Sequence, residues 1–278
     1  FHTRNIFYVN EFLVHGDGKS GYDVEDANIP VKGNVESCKI KSHGDVGCLG
    51  GVKGRNTSSQ QEGQGEIAHS DNYVPSSLIE AKGNIRLPFC EHAQLRAKGN
   101  IVIDGSCLHS TIYAGGSVLI KGRLQGGALY ANGLVVVEKQ LGSDYTVATR
   151  LMMGYPPFDY LKLQKLDNQI AYLKHKLDYF TRMAERNDVM RQEYGPRADL
   201  MQRKLAIAFG RRHELWRKFS VDEANAGKCR LVVPGRVMPG CEISIGRAYL
   251  KTTGMDDDVT YRLVDDEISC APNSPKHK

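Results

Sequence analysis

Three residues near the middle of the chain carry side chains capable of acid–base or nucleophilic chemistry: Asp104, His109 and Ser110. A histidine beside a hydroxyl can act as a general base that activates a nucleophile, as an acyltransferase or a polysaccharide lyase requires. Such a base also needs a group that orients it and a pocket around it, and the sequence indicates neither. We therefore interpret His109 as a turn residue between strands and predict no catalytic residues.

The cysteines are a second set of reactive side chains, and they are scattered. There are seven: Cys38, Cys48, Cys90, Cys107, Cys229, Cys241 and Cys270. None form a Cys-x-x-Cys pair, and their spacing does not suit a zinc site. We interpret them as reduced thiols and predict neither a metal nor a cofactor. Cys90 and Cys107 are separated by the length of one repeat unit and are either stacked in contact or merely in neighbouring repeats.

A group of cations around the single tryptophan is the candidate partner-binding surface. It comprises Arg203, Lys204, Arg211, Arg212, Trp216 and Arg217. Residues 158–219 hold 14 Lys and Arg against 8 Asp and Glu, so this segment carries the positive charge of a chain whose net charge is +5. The composition suits an acidic protein partner, and it also suits an ordinary solvated coiled-coil face. Nucleic acid is disfavoured, because the pI of about 8.7 is modest and no stacking aromatics are interleaved.

An internal repeat predicts the elements that position these residues. Its units begin with alternating apolar and polar residues, reach an alanine, and then turn at a glycine: residues 79–85, 95–101, 112–118 and 129–135. The alanines at 81, 97, 114 and 131 recur at a nearly constant interval. Residues 40–46 fit the same frame, and residues 31–35 fit part of it.

Such a unit cannot bury its own apolar side, but stacked coils bury a continuous column. Period-two alternation turns one row of side chains inward, and the Gly-Asn, Gly-Asp or Gly-Ser steps allow the chain to turn corners. The sequence therefore predicts an all-β fold, a parallel β-helix. Left-handed β-helices follow a hexapeptide repeat, which the interval between the alanines does not fit, so we predict the right-handed form.

A different period follows Pro156-Pro157 and predicts an inserted helical hairpin. Apolar residues recur at heptad spacing at 163, 166, 170, 173, 177 and 180, and again at 198, 201, 205, 208, 212, 215 and 219, with Arg at 212. We interpret Gly195-Pro196 between them as the turn of an antiparallel coiled coil.

These patterns divide the chain into four segments. We predict β-helix coils at 1–154, the coiled-coil hairpin at 155–225, a return to β-helix and final strands at 226–272, and a disordered tail at 273–278. Residues 55–77 read as a polar loop, and the acidic runs at 256–258 and 265–266 as solvated turns. The chain opens at Phe1, so we expect a longer parent protein. No signal peptide is visible, and no apolar run approaches the roughly 18 residues of a membrane span.

The order of these motifs resembles the flagellar assembly protein A family of bacterial β-helix proteins. The resemblance rests on Val31–Ser37, the Ala-Lys-Gly-Asn-Ile units at 81–85 and 97–101, His109-Ser110 before residues 112–116, Gly126-Gly127, Gly142-Ser143, the coiled coil, and the pair Pro239-Gly240 and Ile245-Gly246. It covers residues 10–270, with the 55–77 loop and the lack of the family's N-terminal domain as departures. No catalytic residue can be carried over from the family.

The resemblance implies a cytoplasmic protein, at the cell pole in some cases, that supports flagellar assembly by binding other proteins. The implied partners are the IIA component of the sugar phosphotransferase system or a polar landmark protein. We therefore predict a non-enzymatic scaffold. The alternatives are a polymer-forming or cell-division protein of the bactofilin or MinC type, assembling through β-helix ends or the coiled coil, and a β-helix acyltransferase or lyase.

Overall fold

The four alanines of the repeat lie in register with one another. Ala97 pairs with Ala81 on one side and with Ala114 on the other, and Ala114 pairs with Ala131. All four are buried. Equivalent residues of parallel strands lie about 4.8 Å apart, so this register stacks one coil upon the next. The predicted stacking of the repeat units is confirmed.

The computed structural model describes residues 18–19, 23–26, 29–37, 39–54, 77–143, 147–219 and 223–273. Successive coils contribute parallel strands to three columns. The first column contains β2 (Asp23–Asp26), β5 (Lys39–Ser42), β8 (Leu78–Ala81), β11 (Gln94–Ala97), β13 (Cys107–Ala114), β15 (Arg123–Ala131), β18 (Thr149–Met153) and β20 (Glu242–Ile245). The second contains β3 (Ile29–Val31), β6 (Val46–Cys48), β9 (Ile85–Leu87), β12 (Ile101–Ile103), β14 (Val118–Ile120), β16 (Leu134–Val137) and β19 (Arg230–Val237).

The third column is made of shorter strands. It contains β1 (Gly18–Lys19), β4 (Val35–Glu36), β7 (Val52–Lys53), β10 (Cys90–Glu91) and β17 (Gln140–Leu141), together with the first residues of β13 and β15 and the last of β19. Alternate residues of all three columns are buried in one core, in rows such as Ile79, Leu95, Ile112 and Leu129. The fold is a β-solenoid with a parallel sheet.

The corner glycines are required by close backbone approach. A Cβ on Gly115 would lie 2.2 Å from the Lys98 carbonyl oxygen of the coil before it, far inside van der Waals contact. Gly127 has a φ of +80°, which L side chains rarely adopt, and its Cβ would lie 2.1 Å from the Ser110 carbonyl oxygen. Only glycine lets neighbouring coils pack at these corners.

Cys90 and Cys107 form a cysteine rung, in which the two side chains are stacked in contact. They are register partners in β10 and β13, both are buried, and their sulfur atoms are 3.0 Å apart. Their hydrogen bond, followed by burial, raises the pKa of the Cys107 thiol well above its usual value. Of the two arrangements that the sequence left open for this pair, stacked contact is the one observed.

The C-terminal end of the solenoid differs from the expected parallel coils. The last strands are β21 (Ala248–Lys251), β22 (Asp256–Val264) and β23 (Glu267–Pro272). They pair antiparallel: β21 with β20, β22 with β19, and β23 with β22. Antiparallel hairpins need only short turns, whereas another parallel coil would need a full circuit of chain. These strands pair with edges that the final coil would otherwise leave open.

The helical segment lies in the chain between β18 and β19. It comprises α1 (Pro157–Ala184) and α2 (Asp188–Phe219), and the short α3 (Glu223–Ala226) follows. Proline at the first position and Asp159 in the first turn favour the start of α1. Each predicted seam residue from Leu163 to Leu215 is buried or half-buried. Ile170 and Leu173 of α1 form a cluster with Ala208 of α2, with Met201 and Leu205 packed against it.

The sequence predicted the turn between the helices at Gly195-Pro196, and this prediction is wrong. The chain turns at residues 185–187, and Pro196 lies inside α2. Asn187 caps the new helix, since its side-chain oxygen accepts a hydrogen bond from the Met190 amide at 2.8 Å. Packing of Tyr194 against Phe180, with ring centroids 6.1 Å apart, accompanies a helix that continues through the proline. The cap and this packing outweigh the usual helix-breaking tendency of proline.

Three smaller predictions are also corrected. Residues 256–258 begin β22 instead of forming a turn, while Asp265 and Asp266, both at positive φ, do form one. Residues 31–35 do not share the alanine frame: Val31 pairs with Cys48 and Val35 with Val52, one corner further along the coil. Asn273 belongs to the last hairpin, where its amide donates to the Asp258 carbonyl at 2.8 Å.

The predicted loop at 55–76 and the tail at 274–278 lie outside the described residues.

Candidate functional site

The three residues considered for catalysis have separate structural partners. The Ser110 hydroxyl is buried, donates to the Leu108 carbonyl at 2.7 Å and accepts from the Ala93 amide at 3.1 Å. Asp104 lies between two cations, Arg86 at 2.9 Å and Lys121 at 2.7 Å, which lower the pKa of its carboxyl group. Neither residue is bonded to His109 in the described part of the chain. The hydroxyl and the carboxylate stabilise the coil stack.

His109 instead stacks on a second histidine at the same corner of the preceding coil. The rings of His92 and His109 are 5.1 Å apart between centroids and nearly parallel, and both residues have positive φ. Partial burial and then repulsion from His109 lower the pKa of His92, against a smaller opposing effect of Glu91. His109 was predicted to be a turn residue between strands; it lies instead within β13, at a positive φ that marks the corner where this strand passes from the third column to the first.

The described residues contain neither a cluster of metal-ligating side chains nor a membrane-spanning helix. No three His, Cys, Asp or Glu side chains there converge as metal ligands. Within the same residues, no helix is long and apolar enough to cross a membrane.

A groove lies on the surface of the helical unit, which comprises α1 and α2. It has a volume of about 350 Å³ and is lined by Gln169, Tyr172, Leu173, Lys204, Ile207, Ala208 and Arg211. Tyr172 is 48% exposed and Ile207 58% exposed, although both are large apolar residues. Exposed apolar side chains that cluster beside polar ones mark interaction sites more often than single ones do.

The predicted basic surface is divided between different sides of α2. A residue advances about 100° around an α-helix, so Lys204 and Arg211, seven apart, share one side. Arg212 and Trp216, four apart, share another, where the Arg212 guanidinium lies 5.8 Å from the Trp216 ring centroid. Arg203 and Arg217 are exposed, and neither lines the groove. The six residues therefore do not form one continuous site.

The cations on the two sides differ in their pairing. Arg212 forms an ion pair with Asp167 of α1, and Lys174 lies 5.4 Å from the ring centroid of Phe209 on the same side as Trp216. Lys204 and Arg211 form no ion pair with any residue that the structure describes. Two unpaired cations beside an apolar surface create a local positive potential that attracts acidic groups.

The contribution of α1 to the groove was not predicted from the sequence. Gln169 and Tyr172 lie outside the heptad seam, at positions expected to face solvent. The signal that was available is the presence of large apolar residues at such positions, Tyr172 in α1 and Ile207 in α2. Their pairing across one groove depends on the register of the two helices, which spacing within one helix does not provide.

The comparisons with known proteins address the whole chain. Residues 1–268 match the family model described as the flagellar assembly protein A β-solenoid domain. The searches of curated proteins and of solved structures gave no match. The matched range includes the stacked alanines, the cysteine rung and both long helices. The chain therefore belongs to the flagellar assembly protein A β-solenoid family.

Proposed function

We propose that the chain is a non-enzymatic scaffold that supports flagellar assembly by binding an acidic protein partner through its helical unit. The observation that carries this proposal is the placement of Lys204 and Arg211, which form no ion pair with the described residues, beside the half-exposed Tyr172 and Ile207. Large amphipathic side chains and arginine dominate the binding energy of protein interfaces. Family membership supplies the flagellar context.

The partner in this proposal is the IIA component of the sugar phosphotransferase system or a polar landmark protein. The binding takes place in the cytoplasm, at the cell pole where the partner is a landmark protein. A positively charged helical unit, with 14 basic against 8 acidic residues at 158–219, would accelerate association with an acidic partner through electrostatic steering.

Two finer features of the fold belong to the same proposal. The helical unit is an antiparallel coiled coil, supported by contacts whose numbering runs in opposite directions along the two helices: Asp167 with Arg212, and Tyr179 with Tyr194. The solenoid is right-handed, in keeping with coils that do not follow a hexapeptide repeat.

The two alternative functions have less support. A polymer of stacked solenoids needs open strand edges at both ends, and β21–β23 pair with edges of the last coil. An acyltransferase or lyase at His109 needs a hydroxyl or a carboxylate that works with the imidazole, whereas Ser110 and Asp104 are bonded to other groups.

Direct binding measurements test the proposal. The full chain is titrated calorimetrically with the purified IIA component, in its phosphorylated and unphosphorylated forms, and with purified polar landmark proteins of the same bacterium. The proposal expects saturable binding of one of these proteins, weakened by salt because acidic and basic groups meet. Absence of binding to all of them, together with normal flagella in a strain that lacks the protein, would contradict it.

A further inference from the structure

The geometry of the groove points to the kind of element that occupies it. Lys204 and Arg211 are separated by seven residues of α2, which is two helical turns or about 10 Å along the axis. Ile207 lies between them along the helix, and Tyr172 lines the same groove from α1. The pattern along α2 is therefore cation, apolar residue, cation.

We propose that the groove binds an amphipathic α-helix of the partner that presents two carboxylates seven residues apart, with apolar residues between them. This inference rests on the proposed protein-binding function and adds the recognition pattern to it. A helix lying along α2 repeats its own side every seven residues, so carboxylates at positions i and i+7 face Lys204 and Arg211 together. Carboxylates at i and i+4 are only about 6 Å apart along the axis and match the spacing of the two cations less well.

The apolar part of the groove supports a helical occupant. An amphipathic helix buries side chains at i+3 and i+4 in such a groove, and these positions fall between the two carboxylates. Those side chains would cover Tyr172 and Ile207, which are about half exposed in this chain. An extended peptide would instead need backbone donors and acceptors to pair with, and those within α1 and α2 are used inside the helices.

A second copy of this chain fits the groove less well than an acidic helix. In a twofold symmetric dimer the same surface patch meets itself, so the two cations Lys204 and Arg211 of one copy would face the same pair of cations on the other copy. The described lining residues include two cations and no carboxylate. Juxtaposed like charges disfavour an interface, so charge complementarity selects a different, acidic partner.

Designed peptides test this pattern on the full chain. The probe is a fluorescent helical peptide of about 20 residues, long enough to form a helix on binding, with Glu at i and i+7 and Leu at i+3 and i+4. The comparison peptide has the same composition with the two Glu residues moved to i and i+1. Fluorescence anisotropy at low salt should give at least about a tenfold lower Kd for the first peptide, because only it meets both cations. Equal Kd values, or no binding of the first peptide, would overturn the inference.

Charge reversal locates the binding on the molecule. The variant Lys204→Glu/Arg211→Glu should lose at least about tenfold in affinity for the acidic peptide. The same variant should gain affinity for a peptide with Lys at i and i+7. The control Arg186→Glu/Arg191→Glu makes the same charge change at exposed positions near the turn between the helices, outside the groove. Equal losses in both variants would mean general charge attraction and overturn the inference.

Two further outcomes separate this inference from the proposed function. Sedimentation velocity should show that the wild type does not self-associate through the groove. A wild-type dimer that dissociates in the Lys204→Glu/Arg211→Glu variant would assign the groove to a second copy of the chain and overturn the inference. If the IIA component or a landmark protein binds the wild type and the charge-reversed variant equally well, the proposed function stands and the groove inference fails. Circular dichroism of each variant confirms that the helices are retained.

Discussion

The side-chain oxygen of Asn84 accepts a hydrogen bond from the backbone amide of Asn100, one coil later, at 2.8 Å. The pattern repeats in the next coil, since the Asn100 side-chain oxygen accepts a hydrogen bond from the Ser117 amide, also at 2.8 Å. In the preceding coil, the Asp45 side chain accepts a hydrogen bond from the Asn84 amide at 2.6 Å. A column of short polar side chains thus satisfies amides that the strand ladders leave unpaired where the chain turns.

Replacement of Asn100 tests this column. Asn100→Ala leaves the Ser117 amide without its protein acceptor and should lower the free energy of unfolding by about 1 kcal/mol. Asn132→Ala is the matched control, because the Asn132 side-chain oxygen is buried without a hydrogen-bond partner among the described residues. The control should be neutral or slightly stabilising. Urea denaturation measures both, and equal losses would contradict the column.

The alanine stack predicts a sharp size limit inside the solenoid. Ala97→Leu adds volume between Ala81 and Ala114 and should destabilise the protein by about 1–3 kcal/mol through overpacking. Lys98→Leu adds a similar apolar side chain at the next residue, which is exposed, and should change stability by less than about 0.5 kcal/mol. Thermal denaturation compares the two variants. A tolerated leucine at 97 would mean that position 97 does not face the core.

The cysteine rung predicts protection from thiol reagents. Cys90 and Cys107 are buried, which shields both sulfur atoms from the reagent. The pKa of Cys107 is also raised by its hydrogen bond with Cys90 and by burial, so little Cys107 thiolate forms. Cys270 is exposed. Alkylation of the native protein followed by peptide mass spectrometry should label Cys270 well before either rung cysteine. If Cys90 or Cys107 is labelled in the native protein as fast as in the urea-unfolded protein, the stacked arrangement is refuted.

The histidine pair predicts a loss of stability on mild acidification. The lowered pKa of His92 means that, between that pKa and the unfolded value of about 6.5, the unfolded chain binds more protons at this site than the folded chain. The free energy of unfolding should therefore fall as the pH drops from about 7.5 to about 5.5. His92→Asn, a residue that tolerates positive φ, should reduce this slope. If the urea midpoints of the wild type and of the His92→Asn variant change with pH by the same amount, the effect is excluded.

The stacked register could be predicted from the sequence because each coil repeats the same pattern of inward-facing residues and corner glycines. Alanine and glycine at a nearly constant interval reflect two constraints, a narrow core position and a tight corner, and both recur from coil to coil. The same spacing placed Cys90 and Cys107 in neighbouring coils but left open whether they touch, and the structure shows that they do. The spacing could not anticipate β21–β23, where the chain stops repeating and closes its end with antiparallel strands.

The helical unit was less predictable because its decisive features involve competition or long-range register. Gly195-Pro196 is a strong breaker in isolation, yet the Asn187 cap and the contacts of Tyr194 favour continued helix. Within the predicted basic group, helical phase separates Lys204 and Arg211 from Arg212 and Trp216. That separation is readable from spacing alone, whereas the contribution of Tyr172 required the pairing of α1 with α2.

The central claim is that the solenoid supports the helical unit and that the helical unit binds the partner protein. The most direct test is to count flagella on cells whose helical unit has been replaced. The chromosomal copy is changed so that residues 158–222 become a Gly/Ser linker, immunoblots confirm that the protein accumulates, and flagella are counted by electron microscopy beside the wild type. The account predicts a stable protein and a loss of flagella comparable to that of the deletion strain. Normal flagellation with the linker in place would contradict it.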